Sequence, residues 1–176
     1  EIDIDVAGYL AIGNRENPTL TSVIIGGVED PRLVDITAGG LSLYGNGGIN
    51  GGIVLIKEGY NYDQGGWNNN VYGGQIRLKV GQTLLVDGSV ISTRGRTSKY
   101  INNNIPVGSI DIDAGNLVLQ KNARIEMPSG EVPEGVAMGT LDIEVANLLR
   151  IQNSKLAVSA IGSHSTRTDV SLSAKN

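Results

Sequence analysis

Apolar and polar residues alternate strictly in several short segments of this chain. Residues 110–114 read IDIDA, so every second residue is apolar and the residues between them are acidic. Residues two apart share a face of a β-strand, which gives such a segment one apolar and one polar face. The pattern therefore predicts short strands that each bury one face.

The alternating segments form a repeat. In five places an apolar-polar-apolar run is followed by a small residue or glycine and then by a second apolar run, and a third short strand often follows. The signature returns about every 31 to 34 residues, with one longer interval of about 42 residues. The polar residue of the first run marks each copy: Asp3, Asp35, Arg77, Asp111 and Asp142.

A repeat with one apolar face cannot fold alone, whereas stacked repeats bury continuous aliphatic ladders. We therefore predict an all-β fold, a right-handed parallel β-helix (β-solenoid) of about five coils of roughly 31–34 residues with one longer insertion. The alternative is an antiparallel β-sandwich, which also has many short strands but does not require a recurring signature. The predicted single domain covers residues 1–176, with repeats at about 1–32, 33–74, 75–108, 109–139 and 140–176 and an aromatic insertion at 57–74.

Residues 108–119, which read GSIDIDAGNLVL, are followed by NARI at 122–125, and together they resemble the long repeats of filamentous-haemagglutinin-like proteins. Residues 73–92 are similar to the same repeat. That family comprises secreted β-helical adhesins, often exported by two-partner secretion. The resemblance implies a non-enzymatic structural protein, outside the cell or on its surface.

Composition agrees with stacked strands and narrows the list of partners. The chain has 25 glycines, no phenylalanine or cysteine, and aromatic residues make up only 4%. Its net charge of −4 argues against a nucleic-acid partner, and no apolar run is long enough to span a membrane. The first residues already form a strand pattern, so either the protein is cytoplasmic or a signal peptide has been removed. The resemblance to secreted adhesins implies the second, and we therefore expect that a signal peptide has been removed.

Alternating strands stand at both ends of the sequence, with no amphipathic helix to cover them. Open β-edges are templates for another strand, so we expect copies of the chain to assemble end to end into a filament. The alternatives are that the chain is a piece of a longer rod, or that an irregular loop covers its ends. The residues predicted to pair are Ile2, Ile4, Val6, Val170 and Leu172.

The insertion at 57–74 concentrates aromatic rings beside glycine and amide residues. Aromatic faces and amide groups suit the binding of surface glycans. The alternatives are that the rings fasten a long loop to the rod or form a subunit contact. The ligand or subunit contacts predicted here are Tyr60, Tyr62, Trp67 and Tyr72.

No catalytic constellation stands out in the sequence. His164 is the only histidine, and no nucleophile motif accompanies it. We therefore predict no enzymatic activity, no cofactor and no transition-metal site. Two alternatives rest on the outward acidic residues: a calcium site, or a polysaccharide lyase or hydrolase that uses a carboxylate row along Asp3, Asp35, Asp111 and Asp142.

Overall fold

The computed structural model describes residues 2–17, 23–24, 33–46, 52–57, 62–63, 66–67, 74–95, 108–131, 139–161 and 170–174. All regular structure in these ranges is β-strand. The strands are β1 (Ile2–Ile12), β2 (Val23–Ile24), β3 (Leu33–Tyr44), β4 (Gly52–Lys57), β5 (Tyr62–Asp63), β6 (Gly66–Trp67), β7 (Gln75–Asp87), β8 (Val90–Gly95), β9 (Ser109–Gln120), β10 (Arg124–Glu131), β11 (Leu141–Ile151), β12 (Lys155–Ile161) and β13 (Val170–Ala174).

Two large sheets contain all strands except β5 and β6. Sheet 1 has the order β1-β3-β7-β9-β11-β13, sheet 2 has the order β12-β10-β8-β4-β2, and every pairing within them is parallel. Each strand of sheet 1 before β13 is followed along the chain by a strand of sheet 2. We number the resulting repeats 1 to 6: β1–β2, β3–β4, β7–β8, β9–β10, β11–β12 and β13.

This topology confirms the predicted all-β fold of parallel strands, and it contradicts the antiparallel β-sandwich. Strands that are consecutive within a sheet come from consecutive repeats, so neighbours in sequence are also neighbours in space. That arrangement is typical of stacked repeats.

Both sheets contribute to one hydrophobic core. In β9 the burial alternates as the sequence predicts, since Ile110 and Ile112 are fully buried while Asp111 and Asp113 are exposed. Register places equivalent inward residues of successive repeats side by side, which builds aliphatic ladders across sheet 1. Sheet 2 and the turn before β10 add Ile91, Ala123, Ile125 and Met127 to the same core.

Each long strand of sheet 1 joins two segments that the sequence analysis treats as separate strands. The two halves meet at an irregularity where the register shifts. The length of the bulge differs between repeats. Three residues separate the last inward residue of the first half from the first inward leucine of the second half in repeats 1, 3 and 5. In repeats 2 and 4 only two residues separate them. The inward residue before the bulge alternates as well: Val6, Ala38, Val80, Ala114 and Val145. The stacking period is therefore two repeats.

Close packing at these bulges explains two glycines. A Cβ on Gly115 would lie 2.5 Å from the carbonyl oxygen of Gln82 and 2.7 Å from that of Gly81. Gly39 lies in the same way against the bulge of repeat 1, where a Cβ would meet carbonyl oxygens at 2.7 and 2.8 Å. The short bulge of an even-numbered repeat thus fits beneath the carbonyls of the longer bulge before it, and only glycine leaves room.

The turns that lead from sheet 1 to sheet 2 stack in the same manner. The Gly88 amide donates to the Gln120 carbonyl at 2.9 Å, and the Asn122 amide donates to the Asn153 carbonyl at 2.8 Å. Gly88 and Asn122 both have φ near +61°, a conformation that favours glycine and asparagine. The hydrogen-bond ladder therefore continues around this corner from one repeat to the next.

Candidate functional site

The inward ladders show where the stack is open. Ile36, Ile112 and their equivalents in the middle repeats are at most 1% exposed, whereas Leu172, the last member of the same ladder, is 50% exposed. Burying a leucine or isoleucine contributes about 1.5–3 kcal/mol, so an open ladder end is a surface that gains from another layer.

The residues predicted to pair at the beginning of the chain lie on β1. Ile2, Ile4 and Val6 point inward against β3 and are only partly buried. Within the described residues, β1 pairs on one side alone. Among these residues no strand pairs with its other edge, which lies beside half-buried apolar side chains.

The residues predicted at the other end lie on β13, which already has a partner in its own chain. Val170 is in register with Leu141, and Leu172 with Ile143, so one edge of β13 is taken by β11. The strand covers only the first half of β11, and Ile151 in the second half is 43% exposed. Among the described residues, the far edge of β13 has no partner strand.

The predicted aromatic contacts are only partly within the described residues. Tyr62 and Trp67 are cross-strand partners in the small antiparallel pair formed by β5 and β6. Tyr60 and Tyr72 lie outside the described residues. The backbone thus brings two of the four predicted residues together, and the glycan or subunit contact stays a prediction.

The predicted row of charges does form on the outer face of sheet 1. Register aligns Asp3, Asp35, Arg77, Asp111 and Asp142 on successive strands. Arg77 Nη1 lies 2.9 Å from Asp35 Oδ2, and Arg77 Nε lies 4.0 Å from Asp111 Oδ2. The guanidinium therefore bridges its two neighbouring strands.

Within this row, the pKa of Asp111 is raised above the usual value of an aspartate. Burial raises the pKa of Asp111, the neighbouring Asp142 carboxylate raises it further, and Arg77 opposes the rise. In the part of the chain that the structure describes, no group of three or more acidic or histidine residues could hold a metal ion. The calcium alternative therefore has no support in the described residues, and His164 lies outside them.

Two features were missed at the sequence level. One is the two-repeat period, although the spacing from Val6 to Leu10 against that from Ala38 to Leu41 already contains it. The other is a cluster of hydroxyl groups at the corner, in which Tyr9 donates to Ser42 and both contact Tyr44. Only the parallel register brings these residues together, so short-range patterns do not reveal the cluster.

The described ranges contain no helix able to cross a membrane. Comparisons of this chain with protein-family models, with curated proteins and with solved structures gave no match, so the resemblance to filamentous-haemagglutinin-like repeats stays a prediction.

Proposed function

We propose that this chain is a non-enzymatic segment or subunit of an extracellular β-solenoid fibre or adhesin, in which copies stack end to end. The two parallel sheets and their shared core support a right-handed solenoid. Stacked coils pair equivalent strands in parallel and enclose one continuous core. The extracellular location rests on the resemblance to secreted β-helical adhesins.

The observation that carries the proposal is that, in the described part of the chain, the outer edges of β1 and β13 on sheet 1 have no partner strand. β13 of one copy would receive β1 of the next, with Ile4 stacked on Leu172 and Val6 on Ala174. Such a contact is heterologous and does not close on itself, so it propagates into a filament.

The two-repeat period indicates that β1 of a second copy fits the outer edge of β13. Ala174 is in register with Val145 and stands where Ala38 and Ala114 stand, so β13 has the residue of an even-numbered repeat. Repeat 1 has the odd-numbered type, with Val6 before a longer bulge. Stacking β1 on β13 therefore continues the alternation.

Charge on the outer face favours the same contact. Repeats 1 and 5 both carry two outward carboxylates on the first half of the sheet 1 strand, and like charges on adjacent strands repel. In repeat 6 the residues in register with Asp142 and Glu144 are serines, at positions 171 and 173. The neutral serines would separate Asp142 of one copy from Asp3 of the next.

Cysteine cross-linking tests this contact cleanly, because the chain has no cysteine of its own. A mixture of Ile4→Cys and Leu172→Cys proteins, oxidised mildly, should give a covalent dimer, since stacked strands place the two Cα atoms within disulfide reach. Ser173→Cys replaces Leu172→Cys in the control, because residue 173 faces outward. The assembly proposal fails if both mixtures give the same yield on a non-reducing gel.

Leu172→Lys and Ser173→Lys form a second matched pair with equal charge change on one strand. Leu172→Lys should shorten or abolish filaments in electron micrographs, whereas Ser173→Lys should retain them. Thermal unfolding of both variants shows whether β13 itself is preserved. Wild-type protein that stays monomeric at all concentrations by sedimentation contradicts the proposal outright.

A further inference from the structure

A cleft of about 330 Å³ opens at the corner between the two sheets, on the turns that follow the strands of sheet 1. Four consecutive repeats contribute to it, because the turns stack in register. We name it the corner cleft, and its lining residues are Arg15, Tyr44, Gly45, Asn46, Asp87, Gly88, Lys121 and Asn122.

Glycine at two neighbouring turn positions shapes the cleft. Gly45 and Gly88 follow Tyr44 and Asp87, which are in register on β3 and β7. Glycine has no side chain, so space remains between the longer side chains of Arg15 and Lys121 in the repeats on either side. The Gly45 and Gly88 amides donate hydrogen bonds to carbonyls of the next strand in sheet 1, which holds the cleft walls in place.

Charge in the cleft is positive although the whole chain is negative. The Asp87 carboxylate is buried and accepts hydrogen bonds from Lys121 Nζ at 2.9 Å and Gln120 Nε2 at 3.2 Å. Arg15 makes no ion pair with a carboxylate of the described residues. With two cations and one anion, the lining carries a net positive charge, while the chain carries −4.

Tyr44 gives the cleft a fixed aromatic wall. Hydrogen bonding with Tyr9 and Ser42 lowers the pKa of Tyr44, and the charge of Arg15 acts in the same direction. A ring whose hydroxyl is held by two neighbours presents a steady apolar face to a ligand. Asn122, which is exposed on the opposite side, has amide groups suited to hydroxyls.

We propose that the corner cleft binds an acidic oligosaccharide, with a sugar carboxylate on Arg15 and a sugar ring against Tyr44. Arg15 has no carboxylate partner among the described residues, and an arginine binds a carboxylate through paired charge-assisted hydrogen bonds. The exposed amide of Asn122 suits sugar hydroxyls, and the volume fits a short stretch of a sugar chain. The inference is independent of filament formation, because every residue in it belongs to one copy.

The stacking of the turns also suits a chain ligand. Neighbouring repeats lie about 4.8 Å apart, a distance similar to the length of one sugar unit, so successive repeats meet successive units of a chain laid along the corner. We expect the oligosaccharide to lie across the repeats, with the carboxylate of one unit on Arg15 of repeat 1.

Titration calorimetry with a galacturonic acid trimer is the direct test. The matched variants are Arg15→Gln and Arg150→Gln, which remove one positive charge each; Arg150 is exposed on β11 and bonds Gln152. We expect Arg15→Gln to weaken binding about tenfold, as loss of a charge-assisted hydrogen bond does, and Arg150→Gln to leave it unchanged.

A neutral galactose trimer and a sulfated trimer complete the design. Weaker binding of both supports a carboxylate subsite at Arg15. Equal binding of the neutral trimer, tighter binding of the sulfated trimer, or no detectable binding of the uronate at millimolar concentration overturns the assignment. Amide chemical shifts of Gly45 and Gly88 should move on binding, and shifts confined to other repeats would place the ligand elsewhere.

Discussion

Gly115 stands where two carbonyl groups of the preceding repeat converge, and Gly39 stands in the equivalent place two repeats earlier. In both cases the absence of a side chain is a packing requirement. Gly81 differs, because it lies in a longer bulge and a Cβ added there would meet its nearest neighbour only at 3.8 Å. Glycines of the same motif therefore have different energetic roles.

Replacing Gly115 by alanine should lower the free energy of unfolding by about 2–4 kcal/mol, because the new Cβ would push against the backbone of Gly81 and Gln82. Gly81→Ala is the matched control and should change it by no more than about 0.5 kcal/mol. Urea unfolding followed by circular dichroism measures both. Equal effects of the two substitutions would show that the bulge does not pack as described.

The alternation of apolar and polar residues in the sequence correctly predicts which residues of a strand face the core and which face outward. The alternation of Ile110, Asp111 and Ile112 follows directly from the two-residue period of a strand, and burial agrees with it residue by residue. The same reasoning could not find the contacts of Tyr9 with Ser42. Those depend on which strand lies beside which, and that information is spread over a whole repeat.

Strands of sheet 1 are longer than the sequence predicts, because a glycine normally indicates a break. In β9 the predicted strands on either side of Gly115 form one element, since the backbone stays paired with both neighbours apart from the bulge. The local pattern thus identifies the repeat and its faces. It cannot show whether the two halves are separate, since the neighbouring strands decide that.

Charges on adjacent strands act on one another across the ladder, and Asp111 reports this coupling. Its pKa should lie above the usual value of an aspartate, because burial and Asp142 disfavour the ionised form. Asp142→Asn should lower the pKa of Asp111, and Arg77→Gln should raise it. An NMR titration of the side-chain carboxyl carbon measures each shift.

The effect on stability follows from the direction of this shift. A raised pKa means that the folded chain holds the Asp111 proton more tightly than the unfolded chain does, so protonation favours folding. This contribution is fully present below the unfolded-state pKa and is lost as the pH rises through the folded-state pKa. The side chain is half exposed, so the contribution is small. A pKa of Asp111 that rises in Asp142→Asn or falls in Arg77→Gln would contradict the coupling.

At the scale of the molecule, the chain behaves as a row of repeats in which each contacts its neighbours. Such stacks have a stability close to a sum of repeat and interface terms. The period of two repeats adds a condition, because an interface is well packed only when a longer bulge meets a shorter one. One odd-numbered repeat can therefore replace another in the stack, and one even-numbered repeat can replace another. An odd-numbered repeat cannot replace an even-numbered one.

Removing residues 109–139 tests this condition, because it joins Gly108 to Thr140 and stacks repeat 5 directly on repeat 3. Two longer bulges then meet with no glycine beneath the carbonyls of Gly81 and Gln82, and we expect a poorly packed interface. A repaired version changes repeat 5 to the even-numbered type through Val145→Ala, deletion of Ala146 and Asn147→Gly. The repaired chain should exceed the unrepaired one by about 2 kcal/mol in the free energy of unfolding by urea, since it restores the glycine fit. Removing residues 75–139 takes out two repeats and preserves the alternation, so that shorter chain should still unfold in one cooperative step. Equal stability of the repaired and unrepaired chains would mean that each repeat packs independently of its parity.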